Sequence, residues 1–307
     1  MHRRSSVRDA GHRTRPGAAA ALPPVPPYDL QASHSTVSIE GDPSRPSGRM
    51  IFLDGHESSY VDLADPTHLE FSYVRRIGDV IDLFRPARQP LDVLHIGGGG
   101  FTLPRYVAAT RPRSRQVVFE YDGELVRIAR EHLGLAPSPG LRVRVGDARA
   151  RLERQPPASA DVVVGDAFAG VVVPAHLATV EFAREVRRVL RPDGIYLLNV
   201  IDCPPLRVSR AEAATLLAAF EHVGLVAERD LLRERDAGNV VFLASAAPLP
   251  LDGVRKAASR GAFPDDVLDR AAVVRFAGSA AVATDQNLER WATIAPPPDL
   301  PVPLHGD

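Results

Sequence analysis

The chain has 307 residues, 45% of them apolar and 24% charged, with a formal charge of −1 at pH 7. That length and apolar content bury one substantial core and a small accessory unit without disulfide or metal staples, and the near-zero charge offers no overall field to draw in nucleic acid. The single cysteine, Cys203, excludes an internal disulfide and fits a reducing, cytoplasmic location. The lack of any run of about 18 apolar residues argues against a membrane span.

Residues 1–30 mix Arg, Ala and Pro, with Arg3, Arg4, Arg8, Arg13 and Arg15 making the extreme N-terminus locally basic, and are expected to form a disordered arm. Over 31–66 the alternating runs Thr36–Ile39 and Arg49–Leu53, separated by turn residues and followed by Asp54-Gly55, predict a small antiparallel β unit. The main domain is expected over 67–295. Pro66 opens a helical stretch whose apolar residues Leu69, Tyr73, Ile77, Val80, Ile81 and Phe84 recur at mostly three- and four-residue spacing.

After Pro90 the pattern alternates strand and helix: Val93–Ile96, Leu103–Ala109, Gln116–Tyr121, Glu124–Leu133, Leu141–Val145, a short helix, and Asp161–Gly165. A helix over Ala175–Leu190, closed by Arg191-Pro-Asp-Gly194, leads to a fifth strand at Ile195–Ile201. Helix Arg210–Val223 and strands Leu225–Asp230 and Asn239–Ala244 complete a count of seven, the last two strands being antiparallel neighbours across the loop at Arg233–Asp236. The fold class is therefore α/β, a Rossmann-like seven-stranded and mostly parallel sheet with helices on both faces. A helical piece is expected between Leu251 and Ala277, and 296–307 reads as a Pro-rich extended tail.

Gly97, Gly98, Gly99 and Gly100 follow a β-branched run, where missing Cβ atoms let the chain turn sharply and a ligand lie against the main chain. Such a turn by itself does not separate dehydrogenases, flavoproteins and transferases. Glu120, at the end of the second strand, is the expected carboxylate for ribose hydroxyls. Asp147 and Asp166 end the third and fourth strands; they would repel a pyrophosphate cofactor but favour a cationic adenosyl sulfonium. Asp147 is placed for an adenine amino group, and it equally suits the N-cap of the helix that follows; Asp166 is placed at the reacting carbon, and it equally suits the cap of a turn. The nucleoside-binding set is thus Gly97, Gly98, Gly99, Glu120, Tyr121, Asp147, Ala148 and Asp166.

Together Leu53-Asp-Gly55, Glu70-Phe-Ser-Tyr73, Ile96–Gly99, Glu120-Tyr-Asp122, Gly146-Asp147, Asp166 and Leu190–Gly194 resemble the spermidine synthase family of polyamine aminopropyltransferases, within the seven-strand adenosylmethionine-dependent transferase fold. The resemblance runs from about Arg49 to Ala247. It implies a transferase that binds decarboxylated S-adenosylmethionine or a related adenosyl sulfonium as co-substrate, with no tightly bound cofactor and no metal, and passes an aminopropyl group to an amine. Asp166 would take the proton from the attacking amine; Tyr73 would orient Asp166 or the acceptor, or else is a packed helix tyrosine; and Phe168 reads first as core packing and otherwise as an aromatic face to the cation. A homodimer is also implied.

Three positions depart from the family pattern. Gly100 stands where the family's aspartate holds the aminopropyl ammonium, Ala169 where a second acid holds the acceptor, and Val74 where a glutamine follows the tyrosine. Two missing charge-assisted hydrogen bonds, each worth roughly 1.5–3 kcal/mol, would weaken diamine binding about 10²-fold to 10⁴-fold. The alternatives are a small-molecule methyltransferase using S-adenosylmethionine and a non-catalytic nucleoside-binding homologue. The expected partner is a small-molecule amine or other nucleophile, with neither nucleic acid nor membrane. His68, His95 and His176 lack metal-ligand spacing, and His95 reads as a satisfied core residue.

Overall fold

The structure, a computed structural model, describes residues 29–260, 265–297 and 300. The arm expected over 1–30 falls almost entirely outside these residues, as does most of the Pro-rich tail. A four-stranded antiparallel sheet comes first: β1 (Leu30–Gln31), β2 (Thr36–Gly41), β3 (Gly48–Leu53) and β4 (His56–Asp62). Asp54 and Gly55 take positive φ angles of 49° and 82° in the β3–β4 turn, as a tight hairpin requires. One face of this sheet, carrying Val37, Ile39, Ile51 and Val61, packs on Phe101, Leu125, Ile128 and Leu133 of the main domain.

The second sheet is built from β5 (Asp92–Ile96), β6 (Arg115–Glu120), β7 (Leu141–Val145), β8 (Ala160–Gly165), β9 (Leu190–Asp202), β10 (His222–Glu228), β11 (Gly238–Ser245) and β12 (Asp265–Leu268). Its order is β12-β10-β11-β9-β8-β5-β6-β7, with β5 to β9 parallel and β10, β11 and β12 antiparallel. The helices are α1 (Ser72–Phe84), α2 (Thr102–Thr110), α3 (Gly123–His132), α4 (Ala148–Leu152), α5 (Val180–Val189), α6 (Arg207–Ala219), α7 (Arg229–Leu232), α8 (Leu251–Ala258), α9 (Arg270–Ala277) and α10 (Leu288–Ile294). Helix α1 covers one face with Ile77, Val80 and Ile81 over Val93, Val162, Leu197 and Val241. Helices α5 and α6 cover the other, over Val163, Leu198 and Phe242.

The α/β class and mostly parallel sheet match expectation; the strand count is eight, not seven. The extra strand, β12, lies within the stretch read as helical, where Gly261 and Pro264 interrupt the helical period and Asp265 is drawn to Arg76. Helix α1 begins at Ser72 rather than Pro66, because the Asp65 carboxylate accepts from the amide and hydroxyl of Thr67 and holds a turn there. The single helix expected over Ala175–Leu190 is divided into a short 3₁₀ turn, Ala175–Leu177, and α5, since Thr179 caps the latter through the Phe182 amide. Strand β9 runs through Arg191–Gly194, which reads as a closing turn in the sequence. No helix among the described residues is long and apolar enough to cross a membrane.

Candidate functional site

At the carboxyl edge of the parallel strands, β5 turns into α2 through Gly97, whose φ is +95°. A Cβ at Gly97 would stand 2.2 Å from the Asp166 carbonyl oxygen, so only glycine lets the ends of β5 and β8 approach this closely. The Asp166 amide donates to Ile96 O at 2.9 Å, and Gly97 N donates to Phe119 O at 2.9 Å, so three strand ends are laced at one point. The glycine turn and the Asp166 carboxylate are thereby brought together.

Glu120 ends β6 with its carboxylate buried against this turn. One oxygen accepts from Gly98 N at 2.7 Å and the other from Asp122 N at 2.9 Å. Burial pushes its pKa up, while these amides oppose the rise. Both oxygens already have main-chain donors, and a carboxylate's remaining lone pairs are what it can offer a sugar. Tyr121 is 62% exposed, its ring centroid 4.9 Å from that of His34. Asp122 caps α3 through Glu124 N and also accepts from Ser33 Oγ at 2.9 Å and His34 N at 3.0 Å. The segment leading into β2 is thus clasped to the rim of the groove.

Asp147 caps α4, its Oδ1 accepting from Ala150 N at 2.8 Å, while Oδ2 lies 2.7 Å from His176 Nε2. Burial pushes its carboxyl up, but the Ala150 amide and His176 outweigh that and hold it below the usual range. The capping role is therefore geometrically real, and it orients the carboxylate at the same time. Ala148 is buried behind it. His176 belongs to the site's edge although its spacing in the sequence carries no ligand pattern.

Across the groove, Asp166 sits in a protein surround that pushes its carboxyl up to about 6, with hydrogen bonds pulling the other way. Asn199 Nδ2 donates to Asp166 Oδ1 at 3.0 Å, and the Tyr73 hydroxyl donates to Oδ2 at a longer 3.4 Å. Tyr73 is buried, and burial beside Asp166 raises its phenol well above its ordinary value. Three residues beyond Asp166, in the loop after β8, Ala169 lies exposed in a small turn with Val172. Phe168, read as core packing or else as a face for a cation, packs against the core on the α5 and α6 side of the sheet.

Gly100 has a steric explanation. A Cβ there would meet Val61 Cγ2 at 2.9 Å and Ser59 Cβ at 3.0 Å, and its amide donates to Ser59 Oγ at 3.0 Å. The N-terminal sheet fills the space an acid at this position would need. Val74 is equally committed, being buried in the core beneath α1.

Several residues at the site escape sequence reading. Asn199 is a lone amide in the Ile195–Ile201 run of β9, and Asn239 stands second in β11 just before the apolar run Val240–Ala244. Arg76 stands three residues past Tyr73, on the buried stripe of α1, and reaches Asp265 by two bonds at 2.8 and 2.7 Å, Glu228 at 2.9 Å and the Asn239 carbonyl at 3.3 Å. A polar residue at an apolar period position was the available signal in each case.

Residues 94–198 match a family model described as a methyltransferase domain. A polyamine aminopropyltransferase of Vibrio vulnificus (strain CMCP6) is 31% identical over 170 residues, covering 55% of this chain and 54% of that protein. The chain spans about half the length of the polyamine aminopropyltransferases it first matches. The crystal structure of a probable spermidine synthase from Corynebacterium glutamicum ATCC 13032 superposes with a TM-score of 0.80 at 32% identity, covering 85% of this chain and 97% of that one. Spermidine synthase from Thermotoga maritima shares the fold at 17% identity, with a TM-score of 0.56 over 88% of this chain and 84% of its own. With near-complete coverage of a structural relative above 30% identity, and the glycine turn and strand-end acids in place, the chain belongs to the spermidine synthase-like family of the methyltransferase fold.

Proposed function

We propose that the chain is an aminopropyltransferase-like enzyme that takes decarboxylated S-adenosylmethionine, or a related adenosyl sulfonium, and alkylates a small amine. The observation that carries this is the enclosed Asp166 carboxylate, held by Asn199 and Tyr73 directly beside the Gly97 turn. In this reading the groove lined by Gly97, Gly98, Gly99, Glu120, Tyr121, Asp147 and Ala148 takes the adenosine. Glu120 offers its remaining lone pairs to the ribose, and Asp147 faces the adenine amino group. The relatives' names support the donor and acceptor classes.

The amine nitrogen attacks the methylene carbon bound to sulfur. A C–N bond forms, the C–S bond breaks with its electron pair going to sulfur, and the neutral thioether methylthioadenosine leaves. The amine's proton passes to Asp166, whose carboxyl at about 6 is ionised at neutral pH yet basic enough to accept it. In-line displacement needs positioning and exclusion of water more than covalent help from the protein. The same reading places the protein in the cytoplasm with no nucleic-acid partner, for which the lone cysteine and near-neutral charge speak, and leaves a homodimer as the assembly to test.

The test is product identity. Release of methylthioadenosine from decarboxylated S-adenosylmethionine in the presence of amines is the expected result. Release of adenosylhomocysteine from S-adenosylmethionine would replace the reading with methyl transfer, and release of neither would leave a nucleoside-binding protein.

A further inference from the structure

Resting on the reading of Asp166 as the group that receives an amine, the geometry points to the class of that amine: we infer that it carries a neutral hydrogen-bonding tail, a hydroxyl or primary amide, in place of a second ammonium, and that Asn239 reads the tail. Strands β9 and β11 are antiparallel neighbours in which Asn199 opposes Val241 and Ile201 opposes Asn239. Side chains alternate along a strand, so Asn199, Ile201, Asn239 and Val241 share one face, the face covered by α1. The two asparagines are diagonal neighbours on it. Asn199 is 1% exposed and Asn239 4% exposed.

Their hydrogen bonding is incomplete in a consistent way. Asn199 gives its amide nitrogen to Asp166, leaving its Oδ1 without a partner, and neither Oδ1 nor Nδ2 of Asn239 has one. Buried amide atoms are ordinarily paired, and a set of orphans bordering a carboxylate marks groups reserved for a ligand. Together they present two acceptors and one donor to whatever extends from the Asp166 end, which suits a hydroxyl or an amide.

Among the described residues, the carboxylates that Arg76 brings toward Asn239 are already engaged. Glu228 and Asp265 are both spent on Arg76, which holds Asp265 through two nitrogens and shares Glu228 with the Ser72 hydroxyl. Asp202 faces the opposite side of β9, where it accepts from Cys203 and Ser209 amides. Gly100 and Ala169 supply no charge. Arg76 lies against the Asn239 carbonyl and holds both the Glu228 and Asp265 carboxylates, so a cation at the tail end would have to compete with its guanidinium for them.

Calorimetry on the full chain, with methylthioadenosine present, compares 4-aminobutan-1-ol, butane-1,4-diamine and butylamine. The alcohol is expected to bind about tenfold more tightly than either of the others. Asn239→Asp should reverse the order in favour of the diamine, and Asn239→Leu should erase the alcohol's advantage over butylamine. Equal or tighter binding of the diamine to the wild type overturns the inference, whether or not the variants fold, and so does an unchanged ratio in folded Asn239→Asp. Failure of the reaction itself would show separately, as absence of methylthioadenosine with every amine that binds.

Discussion

The two halves of the groove are built on different principles. Where β5, β6 and β7 end, each acid is met by the chain's own main-chain amides: Glu120 by Gly98 and Asp122, Asp147 by Ala150. Beside Asp166 the contacts come from side chains on α1 and β9, and buried amide atoms of Asn199 and, on β11, of Asn239 remain unpaired. The first half is preorganised and complete without a ligand. The second, on the inference that Asn239 reads the acceptor, is finished by one. On the proposed reading the donor nucleoside is held by acids fixed on the backbone, whereas the acceptor is recognised by whatever side chains the neighbouring elements bring.

Removing the proton acceptor tests that contrast most severely. Asp166→Asn should lower turnover by about 10²-fold to 10⁴-fold while nucleoside affinity, measured by calorimetry, is retained. Loss of both together would mean that the halves are not separable. Next in size is Asp265→Ala, which leaves the buried Arg76 guanidinium with Glu228 and the Asn239 carbonyl and should destabilise the fold by about 1.5–3 kcal/mol in urea melts. An unaffected stability would show that the tie between α1 and β12 contributes little.

Glu120→Ala should weaken nucleoside binding by roughly 10-fold to 100-fold, by removing both the ribose acceptor and the anchor for the Gly98 and Asp122 amides. Turnover at saturating donor should fall much less. The smallest effect concerns pH. Donor consumption should decline as pH drops through about 6, where Asp166 takes up a proton and can no longer accept one. The Asn199 amide stabilises the ionised form, so Asn199→Ala should move that decline to higher pH. A profile that stays in place would detach Asn199 from Asp166.

The same contrast explains what could be read from the amino-acid order. The nucleoside half is carried by short motifs at successive strand ends, Gly97–Gly99, Glu120 and Asp147, and strand alternation fixes which edge they share. Asp166 and Tyr73 were visible for the same reason, one at a strand end and the other on an apolar helical stripe. Asn199, Asn239 and Arg76 were not, because their meeting depends on an antiparallel register between β9 and β11 and on where α1 crosses them. Strand β12 was missed because four residues carry too little periodicity, and what places them is an ion pair reaching back 189 positions to Arg76. Phe168, two residues past Asp166, packs against the core, the alternative its sequence context favours over a face for a cation.

The clasp at Asp122 joins parts that a boundary drawn near residue 66 would separate. One carboxylate starts α3, receives Ser33 and the His34 amide, and stands next to the ring on which the His34 imidazole rests. Trimming the chain past His34 would therefore do more than shorten a peripheral sheet. It would bare the Tyr121 face and return two donors' worth of acceptor capacity to water at this strand-end edge, so on the proposed reading the leading strands are part of the binding wall rather than an attachment to it.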